Sequence, residues 1–527
     1  MLIKNGTIID GTKKERYEGD IRIKQEIIED VGRFEPQKGE EVVDAKNLFV
    51  TPGFVDIANQ SDIYLSLFTE PSLDSLLHQG VTSILIGNEG VSLAPLTGPE
   101  LIAAIQKWTD PNKININWLS LGEYIEELRR HAFGVNIGTL TGHTIVRRGV
   151  LHEEFRETNE EELRQMLYLL EQSFKEGSFG ISLGLGYSHA KPASLRELEE
   201  VAKLTKKYKK LCSVHLRDEG EGLVTSLAMV ISLARMSGVR LEINHLKAVG
   251  KNAWPLFPKA LAAIDEANQA NVDITFDIYP YTRTATALYT LLPDWVTVGG
   301  KAETLARLRS SEIRKKAEAE LSKNLGDFAE SIIAGGKVEK ALIGKTLGEV
   351  AQNQNISLAE AVIKILDVAD GRAVIFANTI AEENISLALQ SPHSFVASSG
   401  TGQRSMSASE AGGHNQENGL AHPRSFGTFP RFLSQYVRDK KLLTWEEAVY
   451  KITWGPAQKM QLKKRGKIAK GFYADVVIFN PKNIKDLATF DNPSQYPQGI
   501  EHVFVNGNHV LSQRAYIKKD GGSVITE

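Results

Sequence analysis

The sequence predicts an α/β fold: a (β/α)8 TIM barrel with a small β-sandwich domain formed by both termini and a helical insertion after the seventh strand. Three observations predict it. Eight apolar β-runs alternate with helical stretches through the middle of the 527-residue chain. Both ends carry the same hairpin-rich texture, and a long helical interval separates the seventh run from the eighth.

Composition fits a large enzyme. With 42% hydrophobic and 24% charged residues and a net charge of −3, the chain can bury a sizeable core and gives no reason to expect nucleic acid or anionic membrane as a partner. The first residues hold no long apolar segment and no run of about 18 apolar residues occurs, so neither export nor membrane insertion is expected and a cytoplasmic location is. Cys212 is the single cysteine, which excludes an intramolecular disulfide and agrees with a reducing compartment.

Taken in order, residues 1–50 read as short β-runs broken by turn pairs: Leu2-Ile3-Lys4-Asn5-Gly6, Thr7-Ile8-Ile9-Asp10-Gly11, Asp20 to Ile23 and Ile27 to Gly32. Asn-Gly and Asp-Gly are hairpin signals. Residues 463–527 repeat the pattern at Ala474 to Phe479, Ile500 to Gly507 and Val510-Leu511, so one β-domain built from both ends is predicted. The barrel takes residues 51–284 and 391–462. Its strand candidates are Phe49 to Ile57, Thr82 to Gly87, Asn136 to Leu140, Phe179 to Leu183, Cys212 to Leu216, Leu241 to His245, Val272 to Ile278 and Phe395 to Ser398. Asn159 to Glu176, Leu195 to Tyr208 and Leu223 to Ser237 have the composition and apolar spacing of the intervening helices. Residues 285–390 are predicted to be a helical subdomain covering the barrel mouth, with helices at Ala302 to Asn324, Ser357 to Val368 and Ala381 to Gln390. Gly344-Lys345-Thr346 is not a phosphate loop, because the glycine required five residues earlier is Glu339.

Barrel enzymes carry their chemistry at the C-terminal ends of the strands. Strand 2 ends in Gly87-Asn88-Glu89-Gly90, strand 4 leads to Tyr187, and strand 5 ends at His215. Strand 6 ends at His245 with Lys247 two residues on, and strand 7 ends at Tyr279 and Tyr281. A lone buried histidine is most often a hydrogen-bonded core residue. Two on consecutive strands, with a carboxylate on a third, form a metal-ligand set.

These motifs resemble a known family. Pro52-Gly53-Phe54-Val55-Asp56, Gln79-Gly80-Val81-Thr82, Gly142-His143-Thr144, Gly180 to Leu185, His215-Leu216-Arg217-Asp218-Glu219-Gly220, Asn244-His245-Leu246-Lys247, Asp277-Ile278-Tyr279-Pro280-Tyr281-Thr282 and His422 to Arg431 are similar to those of the N-acyl-D-amino-acid deacylases (D-aminoacylases) of the metal-dependent amidohydrolase superfamily. The likeness runs through nearly the whole chain. It implies a tightly held zinc, bound in the family by a cysteine after strand 2 and histidines after strands 5 and 6; here the positions are Glu89, His215 and His245. Glutamate with two imidazoles is a sound ligand set for one Zn2+. The family's His-x-His pair, a weaker second site, falls on Ala58 and Gln60. Its catalytic aspartate after strand 8 falls on Ser399, which cannot act as a base without an activating partner. Glu410, His414 and Glu417, in the segment Thr401 to Ala421, either replace it or belong to a surface loop. Tyr187, Lys247, Tyr279 or Tyr281, and Arg424 correspond to the family's clamp on the substrate carboxylate. His143 lines the pocket in this reading, and Arg217, Asp218 and Glu219 form a charge network beside it.

Two readings follow. One is a mononuclear zinc hydrolase cleaving a non-peptide amide bond of a small carboxylate-bearing compound such as an N-acyl-D-amino acid. The other is a degenerate barrel that binds a carboxylate ligand without turnover. Glu89 and both histidines favour the first; Ala58, Gln60 and Ser399 favour the second.

Overall fold

The computed structural model describes the chain except residues 99–100, 103–113, 153, 188, 324, 405–418, 514 and 518–519. The eight predicted barrel strands are all present: β1 (Phe54–Asp56), β2 (Val81–Ile86), β3 (Asn136–Thr139), β4 (Gly180–Gly184), β5 (Leu211–His215), β6 (Arg240–Ile243), β7 (Ile274–Ile278) and β8 (Ser394–Val396). Neighbours pair in parallel from β1 to β3 and from β4 to β8. The strand is interrupted after β3 at Leu140, and Thr141–Gly142 completes the pairing to β4. The ring closes just beyond the last strand, where Ser399 N donates to Ala58 O at 2.9 Å and Gln60 N to Gly400 O at 2.8 Å. Strands covered on both faces read as continuous apolar runs, as in the wholly buried Val81–Ile86.

The outer helices stop and start where local chemistry directs. Glu160–Lys175 opens with a capping box in which Asn159 accepts from the Glu162 backbone, and it buries Leu163, Met166, Leu170 and Phe174 on one face. Among the described residues no helix is long and apolar enough to cross a membrane.

Four expectations need correction. The first predicted strand, Phe49 to Ile57, is two strands. Phe49–Pro52 pairs antiparallel with Val476–Phe479 in the terminal sheet, and the barrel starts only at Phe54. Gly53 makes the junction, because a Cβ there would lie 2.1 Å from Thr82 Oγ1. The terminal domain, expected as a sandwich, is one nine-stranded sheet drawn from both ends. It folds over a core of Ile3, Ile8, Ile21, Val50, Val476, Ile478 and Phe504. The insertion, expected to be helical, also holds a three-stranded antiparallel sheet of Arg283–Ala287, Ile332–Gly336 and Ala373–Asn378. Short apolar runs of this length do not distinguish strand from buried helix by periodicity. The predicted helix from Ala302 is broken by the extended Ser310 into Gly300–Arg309 and Ser311–Leu321.

Candidate active site

Glu89 sits in the turn after β2 with φ +58°, a conformation unfavourable for most side chains. Its flanks hold it there. Gly87 N donates to Asp62 Oδ2 at 2.8 Å and Gly90 N to Ser182 Oγ at 2.9 Å. Gly90 packs so closely on β4 that a Cβ would lie 2.5 Å from Gly184 N. His215 closes β5, and His245 follows β6 with φ +37°, its backbone N donating to Asp277 Oδ1 at 3.0 Å.

Three atoms able to ligate a metal converge. His245 Nε2 lies 3.0 Å from Glu89 Oε1 and 3.2 Å from His215 Nδ1, and one atom from each of the three residues falls within 4.8 Å of the others. Ligands of a tetrahedral zinc at 2.0–2.1 Å stand about 3.3 Å apart, so the spacing suits one cation. Protons alone satisfy it poorly. His245 Nε2 carries at most one hydrogen, which cannot serve Glu89 while the same nitrogen accepts from His215.

The electrostatics fit a cation-binding role. Burial pushes the Glu89 carboxyl up, but His245, His215 and the Tyr187 hydroxyl outweigh it and hold the group well below the usual carboxylate range. Burial likewise opposes ionisation of Glu219, and Lys247 and the two histidines overcome it, so this carboxyl is also held low. Burial lowers His215 to about 4 despite the pull of Glu219, which keeps the imidazole neutral and able to ligate. Burial and Lys247 press His245 down; Glu219 and Glu89 outweigh them and raise it to about 9 when protons are the only cations at hand.

The other predicted positions fall into two groups. Beside the centre, Arg424 is buried with its guanidinium 4.8 Å from the Tyr279 ring, and its Nε has no hydrogen-bond partner among the described residues. Tyr279 reaches back to His245, with ring centroids 6.4 Å apart. Ser399 is buried at φ +42°, its Oγ unpartnered among the described residues. Tyr187 and Lys247 are present but engaged: Tyr187 donates to Glu89 Oε2 at 2.5 Å and stacks on His215, whereas Lys247 Nζ donates to Glu219 Oε1 at 2.6 Å. Away from the centre, Tyr281 donates to Pro423 O at 3.4 Å and lies under the Arg431 guanidinium. His143 is no pocket residue, because its Nε2 is 2.7 Å from the buried Glu197, which also pairs with Arg147. Glu410, His414 and Glu417 lie outside the described residues.

Two residues do more than their local sequence indicates. Glu219 lies 3.3 Å from His245 Nδ1 and 2.6 Å from Lys247 Nζ, and that ammonium is itself 2.8 Å from the same Nδ1, so the three groups form one cluster behind the imidazole. His422, quoted in a motif but given no role, accepts from Arg424 N at 3.1 Å and contacts Arg283 O at 3.0 Å, tying the arginine to the insertion sheet. Neither the Glu219–His245 contact nor the His422–Arg283 contact has a signature in local spacing.

Comparison with known proteins places this geometry. A model described as "Amidohydrolase family" matches residues 420–511. The chain is 28% identical over 525 residues to a D-aminoacylase of Alcaligenes xylosoxydans xylosoxydans, covering 100% of this chain and 97% of the relative. An N-acyl-D-glutamate deacylase from Bordetella bronchiseptica, solved with zinc and a phosphonate mimic of the tetrahedral intermediate, superposes with a TM-score of 0.82 at 25% identity, covering 100% of this chain and 99% of that one. A D-aminoacylase structure addressing its binuclear metal centre, with one-metal activation and second-metal attenuation, gives 0.82 at 27% identity with the same coverage.

Proposed function

Because this chain belongs to the D-aminoacylase (N-acyl-D-amino-acid deacylase) family of metal-dependent amidohydrolases, we propose that it hydrolyses the amide bond of an N-acyl-D-amino acid at a single zinc held by Glu89, His215 and His245. The convergence of those three ligand atoms carries the reading. When bound there, zinc would supply the Lewis acidity that activates a water and polarises an acyl carbonyl.

The protein's own groups bind and orient. No carboxylate among the described residues pairs with the buried Arg424, and a substrate carboxylate would meet its fork of N–H donors. Tyr279, stacked against that guanidinium, offers a phenol to the second carboxylate oxygen. Tyr187 and Lys247 act one step back, Tyr187 holding Glu89 and Lys247 supplying positive charge while paired with Glu219. Recognition of the carboxylate thus falls on Arg424 and Tyr279 rather than on four groups. Glu219 faces His245 Nδ1 and orients the imidazole, an arrangement common behind metal-ligating histidines.

A count of one zinc is part of the proposal. Ala58 offers no ligand atom and the Gln60 amide is turned onto Glu89, so the second position lacks both donors. Metal analysis and hydrolysis of N-acetyl-D-amino acids against their L-enantiomers test the reading. We expect close to one zinc per chain, its loss in His245→Ala, and a D-preference. Because no second site is built, excess zinc should not attenuate turnover. A wild type without zinc and without hydrolysis would overturn the proposal.

A further inference from the structure

Glu89 poses a structural problem that a cysteine ligand would not. A thiolate presents one donor atom whose direction is set once Cβ is placed. A glutamate has an extra methylene and a broad terminal torsion, so its oxygens need partners to point one of them at a metal. Both partners are present. Tyr187 OH takes Oε2, and Gln60 Nε2 takes Oε1, each at 2.5 Å.

We infer that Gln60 is a positioning residue that makes Glu89 a competent metal ligand, so that the glutamine at a family histidine position and the glutamate at the family cysteine position work as one unit. The inference rests on the metal centre proposed above. Gln60 lies at the closure of the barrel, its backbone N on Gly400 O and its carbonyl accepting from Tyr64 N at 3.1 Å. Its main chain is therefore fixed by the ring and its side chain is buried at the site rather than in solvent. An amide suits the task in a way the family's imidazole does not. Gln60 carries two permanent N–H donors and no charge, so it holds a carboxylate without competing for the metal. A neutral histidine at the same place would turn a free nitrogen toward a second cation. On this account the loss of His-x-His is not decay of a binuclear site; at Gln60 it is part of what stabilises a mononuclear one.

The test is a double-mutant cycle read as zinc affinity by chelator competition, with no dependence on turnover. Gln60→Met keeps the side chain's length and removes the donor; the main-chain bonds that close the barrel are unchanged, and circular dichroism checks the fold. In the wild-type background we expect Gln60→Met to weaken zinc binding about 10- to 100-fold, the usual weight of a hydrogen bond behind a metal ligand. In a Glu89→Cys background, where no carboxylate needs aiming, the same change should alter affinity less than about threefold. An unchanged affinity in the wild-type background overturns the inference, as does an equal loss in both backgrounds, since Gln60 would then not act through Glu89. A wild type that takes up no zinc overturns the metal centre itself, and this inference with it.

Discussion

The proposed chemistry turns on Ser399. By its resemblance it stands where the family carries its catalytic aspartate, buried, with no hydrogen-bond partner for its Oγ among the described residues. A hydroxyl without an adjacent base does not take a proton at neutral pH. Ser399→Asp is therefore expected to raise kcat about 100- to 10,000-fold, the span attributed to a general base. The backbone there, at φ +42°, suits aspartate better than most residues. Steady-state hydrolysis of N-acetyl-D-amino acids checks it; an unchanged kcat would mean that another group handles the proton. Arg424→Lys separates binding from chemistry. It keeps the charge but loses the planar fork, so KM should rise about 10- to 150-fold with little change in kcat, the equivalent of about 1.5–3 kcal/mol for charge-assisted bonds. The ligand trio was legible in the sequence, because Glu89, His215 and His245 each stand just past an apolar run. The engagement of Tyr187 and Lys247 was not. Tyr187 meets a partner 98 positions away and Lys247 one 28 away, and no local pattern encodes such pairs.

The terminal sheet carries a pH-sensitive pair apart from the site. His502 on strand Ile500–Val505 faces His509 on Asn508–Ser512, with Nδ1 and Nε2 3.1 Å apart. Burial lowers His502 to about 4, and the neighbouring His509 adds to the effect. The sign follows from proton counts. Between pH 6.5 and 4 the unfolded chain binds the proton that the folded sheet refuses, so this residue removes stability as pH falls through that window. His502→Gln should flatten the fall of the melting midpoint between pH 6.5 and 4; an acid limb identical to wild type would refute the assignment. Hairpin turns and β-rich runs made these strands predictable. Their partition was not, since Phe49–Pro52 joins the terminal sheet by pairing with Val476–Phe479, near the other end of the chain. The insertion sheet escaped prediction for the same reason: its strands are short apolar runs whose identity comes from pairing with one another.

For the molecule as a whole, zinc should act as a stabiliser of the native state, because its three ligands come from three different strand ends and are brought together only by the closed barrel. A ligand that binds only the folded form adds about 2.7 kcal/mol at a free concentration one hundred times its Kd. Chelation is expected to lower the melting temperature of the wild type, and His245→Ala to abolish that dependence; a wild-type melting curve indifferent to zinc and chelator would contradict it. The sequence by itself determined the alternation of strands and helices, the joining of the two ends into one β-domain, and the strand-end positions of Glu89, His215 and His245, because these are local in pattern. Tertiary structure alone decided that Tyr281 is spent on Pro423, that Arg424 lies buried without a carboxylate partner among the described residues, and that Gln60 faces Glu89. Hydrogen bonds form between atoms the fold brings within about 3 Å, and that distance bears no fixed relation to separation along the chain.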